Sequence, residues 1–137
     1  MRAACGGRKT RYHTLSIIIP YILSTKKNYI NVQVIRDLVY DDDTYVREFA
    51  DAAIQSFSEF SAGYRNYLLS RDETNFRKAG HKIMPVAQML HIPEISDEYE
   101  RAKDLLQDDC PREKLQASAR KMTKIIDDIL AELREIA

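Results

Sequence analysis

Between Thr44 and Leu69 the chain contains no proline, and Val46, Phe49, Ala53, Phe57, Phe60, Tyr64 and Tyr67 recur every three or four residues. That spacing lays a continuous apolar stripe along one side of a single long helix, and a stripe of this length is stable only when other helices cover it. Gly63 interrupts the run at a cost of about 1 kcal/mol relative to Ala, which a long packed helix absorbs. The aromatic residues therefore read as core, and the rest of the chain has to supply partner helices.

The composition agrees. Of 137 residues, only four are Gly and four Pro, Trp is absent, and 45% are hydrophobic, which favours helices and suffices for one core but is short for two. Lys and Arg together number 21, as do Asp and Glu. Bulk charge thus gives no reason to expect nucleic acid or an anionic membrane as partner.

Four further helices can be placed. Asn31 is positioned to cap a short first helix bearing Val34, Ile35 and Leu38, which Asp41-Asp42-Asp43 then ends. The triple aspartate reads as a cap and helix-dipole feature of the long helix, since a cation site would need ligands from elsewhere. Ser70-Arg71-Asp72 forms the next turn, with Asp72 capping a third helix that ends near His91. A fourth starts around Ile95 or Ser96 with Tyr99, Ala102 and Leu106 on one face, and stops near Asp108-Asp109-Cys110. Pro111 suits the first turn of the last helix, whose stripe is Leu115, Met122, Ile126, Ile129, Leu133 and Ile136. The expected fold is all-α, an antiparallel up-down four-helix bundle with a short additional N-terminal helix.

Residues 1–28 lack sustained periodicity and read as an N-terminal extension or linker, leaving 29–137 as the helical domain. The apolar run Leu15–Leu23 is about half the length needed to span a bilayer and contains Pro20, so no membrane segment is expected. Basic residues precede it, but no small-residue cleavage site follows, which argues against a signal peptide. Cys5 and Cys110 lie too far apart to suggest a disulfide framework, and a cytoplasmic location follows.

The third helix carries the most informative side chain. Phe76, Ala79, Ile83, Ala87 and Leu90 share one side, and His81 lies about 160° from Ile83 at 100° per residue. An imidazole turned to water is available for chemistry with another molecule. It also stands among Arg77, Lys78 and Lys82, with no acidic residue between Phe76 and Pro93, a patch suited to an acidic partner. A metal site is disfavoured, because His81 and His91 are about 15 Å apart along a helix and about 80° apart around it. His13 falls in the extension, and no His/Cys cluster has ligand spacing.

From Tyr29 to Ile136 the chain resembles the histidine-containing phosphotransfer (HPt) domains of bacterial phosphorelays. The likeness rests on the short first helix, the acidic turn, the Phe-rich long helix and the pattern Asp72-x-x-x-Phe76-x-x-Ala79-Gly80-His81, with Leu90 nine residues beyond. It implies a four-helix bundle in which His81 is the phosphoacceptor, relaying a phosphoryl group between receiver-domain aspartates of a two-component system. The implied partners are response-regulator receiver domains, a hybrid sensor kinase, or both, met by a monomer. Arg77, Lys78, Lys82, Pro85 and Gln88 would border that contact. No cofactor is expected on this chain, and Mg²⁺ would sit on the receiver. A free imidazole, with a pKa of about 6.5, is largely neutral at pH 7 and offers a lone pair to phosphorus. Without a glycine-rich phosphate loop, autonomous ATP use is not expected: the chain is a relay rather than a kinase.

Two positions depart from the family pattern, which places Lys three and Gly four residues after the histidine. Here they are Met84 and Pro85. Met84 withdraws a cation, and neither Lys78, whose stem leans away, nor neutral Gln88 replaces it. Pro85 lacks the N–H that would reach the carbonyl of His81, which predicts a bend or loosened turn there. His91 stands at a helix end where the family often has Gly. These departures keep a second reading open, a non-catalytic helical interaction module of HPt-like shape.

Overall fold

A computed structural model describes residues 28–137, all of whose regular structure is helical. Cys5, His13, the run Leu15–Leu23 and the expected extension lie outside the described residues, apart from Asn28. The helices are α1 (Val32–Leu38), α2 (Asp43–Leu69), α3 (Glu73–Met89), α4 (Pro93–Gln107) and α5 (Arg112–Ile136). In the described residues none is long and apolar enough to cross a membrane.

Local chemistry sets most of these boundaries. Asn31, Asp42 and Asp72 each turn a side-chain oxygen onto a free backbone N–H of the following helix, that of Gln33, Tyr45 and Asn75 respectively. Such a cap typically contributes about 1 kcal/mol. Asp41 and Asp43 both accept from Arg36 at 2.9 Å, so the triple aspartate is used up in capping and in tying α1 to α2. The connections between consecutive helices pass through Tyr40 and Asp41, Arg71, His91 and Asp109, all with φ between 53° and 60°. No described glycine has positive φ.

Two boundaries differ from the sequence reading. Helix α4 begins at Pro93 rather than at Ile95 or Ser96, because proline at the first helical position needs no N–H partner. Pro111 in turn is the N-cap of α5, one residue outside it. Leu38, expected on the inner face of α1, is 42% exposed: the helix ends there and only Ile35 is fully buried.

The longer helices pack in a closed cycle, α2 against α3 and α5, and α4 against α3 and α5, with α1 on α2. Phe57, Tyr64, Leu68, Phe76, Ile83, Ile95, Leu115, Met122, Ile126, Ile129 and Leu133 are fully buried between them. Each such side chain contributes roughly 1.5–3 kcal/mol through burial. The stripe of α2 is inward as expected, with Phe49 and Tyr67 only partly buried and Ala50 and Leu68 joining it. Cys110 is free and buried, and the guanidinium of Arg71 donates to its carbonyl. Arg112 reaches the carbonyl of Leu69 at 3.1 Å, so the α2–α3 and α4–α5 turns are stitched together.

Polar groups inside the core come in satisfied sets. Ser118 donates to the Glu98 carboxylate at 2.6 Å, which leaves Tyr64 as the donor in the 2.7 Å Tyr64–Ser118 contact. Arg101 (2.7 Å) and Lys121 (3.3 Å) close on the same carboxylate from the surface. Burial alone would raise the pKa of Glu98, but these three donors outweigh it and hold the group below the usual glutamate range. Burial holds the Tyr64 phenol well above its ordinary value. On α5, the buried carboxylate of Glu132 accepts the backbone N–H groups of Tyr29 (2.9 Å) and Ile30 (2.9 Å), fixing the segment that enters α1.

Candidate functional site around His81

Helix α3 buries Phe76, Gly80, Ile83 and Ala87 and exposes His81, so the imidazole is outward as the apolar spacing requires. Among the described residues no hydrogen bond or ion pair engages it. The rest of α3 is tightly held. Phe76 stacks on Tyr99 of α4 (centroids 5.2 Å) and contacts Tyr64 of α2 (5.0 Å). Asn75 donates to Asp72 through both backbone and side chain, holding that carboxyl below its usual range.

Gly80, immediately before the histidine, is required by packing. A Cβ there would lie 2.1 Å from the Tyr99 ring, so only a residue without a side chain lets α3 approach α4 this closely. The Tyr99 hydroxyl donates to the carbonyl of Arg77 at 3.4 Å, and the Lys103 ammonium lies over the ring, 5.0 Å from its centroid. Burial raises the Tyr99 phenol pKa, partly offset by Lys103, so it remains a donor at neutral pH.

The flanking residues divide by side. Arg77 is partly buried, and its guanidinium grips Glu73 through Nε (3.0 Å) and Nη2 (2.8 Å). Lys82 is exposed and lies 3.6 Å from Glu59 of α2. Two of the three cations expected to form an acid-free patch are thus matched by acids from just before the window and from a neighbouring helix. Lys78 makes no ion pair among the described contacts, and its charge is felt at Asp72. Pro85 and Gln88 are exposed on the His81 side, whereas Met84 is half-buried against the core.

Helix α3 runs through Pro85 without a break from Glu73 to Met89. What proline chemistry dictates holds at that turn: residue 85 has no N–H to give the His81 carbonyl. A groove of about 450 Å³ opens between α2 and α3, lined by Glu59, Asn66, Tyr67, Asn75, Lys78 and Lys82 among others but not by His81. A smaller one of about 200 Å³ at the end of α3 includes Gln88 and His91. His91 itself closes α3 in the left-handed region at φ 59°, a position natural to Gly.

Sequence reasoning turned His81 outward, and Lys78, Lys82, Pro85 and Gln88 are exposed as well, the two lysines toward the α2 groove. It missed Glu59, which carries no signal of facing α3, and Tyr99 as the partner of Gly80, since a core tyrosine announces no particular neighbour. Among the described residues no group of three or more His, Cys, Asp or Glu is placed to hold a metal ion. The chain matches no family model, no curated protein and no solved structure.

Proposed function

We propose that the protein is a histidine phosphotransfer domain, with α2–α5 as an antiparallel four-helix bundle, α1 as the short additional helix, and His81 as the phosphoacceptor. The observation that carries this reading is an exposed imidazole without a side-chain partner on a helix held through Phe76 against Tyr64 and Tyr99. Transfer needs little more from this side of the reaction. A ring nitrogen's lone pair forms the N–P bond as the acyl-phosphate O–P bond breaks and the receiver's aspartate leaves as carboxylate. The imidazole proton stays on the other nitrogen. Charge neutralisation by Mg²⁺ belongs to the receiver domain. A bacterial, cytoplasmic phosphorelay intermediate that is monomeric and lacks kinase activity of its own fits this chemistry.

A second reading, a non-catalytic interaction module, is favoured by the pairing of Arg77 with Glu73 and Lys82 with Glu59, which leaves little free positive charge beside the imidazole. One assay separates them. A receiver domain phosphorylated on aspartate is mixed with the protein and Mg²⁺, and acid-labile, alkali-stable phosphate is sought on the wild type and on His81→Gln. Label on the wild type alone supports transfer. Absence of label across a panel of receivers favours the interaction module, and equal label on both removes His81 as acceptor.

A further inference from the structure

We propose that Tyr99 is the positioning residue of the phosphoacceptor turn, holding α3 from the N-terminal side of His81 where Pro85 leaves the C-terminal side untied; this rests on the phosphotransfer reading. In a regular helix the N–H of His81 goes to the carbonyl of Arg77 and the carbonyl of His81 receives the N–H of residue 85. Here the second bond is impossible, because residue 85 is proline. The first gains a companion, since the Tyr99 hydroxyl donates to the same Arg77 carbonyl at 3.4 Å. The ring of Tyr99 is 4% exposed, stacked on Phe76, and seated where a Gly80 side chain would be. Ring and hydroxyl therefore fix the residue immediately before His81 and the carbonyl four before it.

In-line attack on phosphorus tolerates little displacement of the attacking nitrogen, and a misplacement of about 1 Å costs on the order of 100-fold. The role of Tyr99 is thus to set where the imidazole stands relative to the bundle face that a receiver meets. It touches neither the phosphoryl group nor the imidazole, so its influence passes through the backbone of Arg77 and Gly80.

The test uses the full chain with Tyr99→Phe, which keeps the ring and removes only the hydroxyl, and Gly80→Ala, which forces the ring aside. Single-turnover transfer from a phosphorylated receiver is measured against receiver concentration, with hydrogen exchange at the His81 amide followed in parallel. For Tyr99→Phe the maximal rate falls about three- to ten-fold, the half-saturating receiver concentration changes less than about two-fold, and His81 amide exchange quickens. For Gly80→Ala, provided circular dichroism shows it folded, the fall is about 10- to 100-fold. Adding Pro85→Ala restores a donor to the His81 carbonyl and shrinks the effect of Tyr99→Phe to under about two-fold. An unchanged His81 amide in Tyr99→Phe, an equal loss in both proline backgrounds, or a loss wholly in receiver affinity overturns the proposal. If the wild type takes no phosphate, the relay reading falls, and the amide exchange alone decides whether Tyr99 holds the turn.

Discussion

Replacing Glu98 by Gln removes one negative charge from the core while keeping the shape of the side chain. Three donors converge on that carboxylate: the buried Ser118 hydroxyl and the Arg101 and Lys121 side chains. The two cations are 53% and 61% exposed, so solvent screens each pair to at most about 1 kcal/mol. The Ser118 bond is buried and charge-assisted, roughly 1.5–3 kcal/mol, part of which a neutral amide oxygen retains. Together the loss at pH 7 is about 2–3 kcal/mol, measured as the difference between urea unfolding free energies of wild type and Glu98→Gln. The pH dependence has a fixed sign. A carboxylate whose folded pKa lies below its unfolded value contributes stability in full above the unfolded value, about 4.3, and loses it as pH falls through the folded pKa. Gln has no such proton to take up, so the gap between the two proteins narrows from pH 7 toward pH 3. A gap of the same size at both ends, or one below about 1 kcal/mol at pH 7, refutes the view that the ionised carboxylate organises α2, α4 and α5.

Other outcomes follow from the packing and the turns. Phe57→Ala opens a cavity at a fully buried site and lowers the unfolding free energy by about 3–5 kcal/mol in the same urea assay. His91→Gly relieves a left-handed conformation and raises stability by about 0.5–1 kcal/mol after the extra chain entropy of glycine is counted, seen as a higher melting temperature. Glu132→Ala removes the acceptor of the Tyr29 and Ile30 amides, costs about 1–3 kcal/mol, and accelerates hydrogen exchange at those two positions while leaving the amides of α3 unchanged.

The number of helices was legible in this sequence because each carries a stripe of three-four spacing and each is introduced by a residue with a recognisable duty. Asn31, Asp42 and Asp72 are short polar side chains just ahead of such stripes, and all three cap. The two proline boundaries were harder: proline is compatible with both the N-cap and the first helical position, and the chain uses one at each site, Pro93 inside its helix and Pro111 just ahead of it. Buried Glu98, Ser118 and Glu132 escaped notice for the opposite reason. A charged or hydroxyl residue on a helix reads as surface, and only the donors that fold beside it make its burial tolerable. At the candidate site, periodicity could turn His81 outward but not reveal that Glu59 from another helix meets Lys82, since pairing across helices depends on register that no local pattern encodes.

The two described glycines differ in what packs against them. At Gly63 of α2 an added Cβ would stand 3.8 Å from the Ala79 methyl, an ordinary contact, whereas Gly80 of α3 lies flat beneath Tyr99. The backbone just before His81 is thus pressed close on its α4 side, while its α2 side opens onto the groove of about 450 Å³. The closely packed side has low compressibility. Under hydrostatic pressure the amide chemical shift of Gly80 should stay nearly linear in pressure, and curvature should be confined to residues that line the groove.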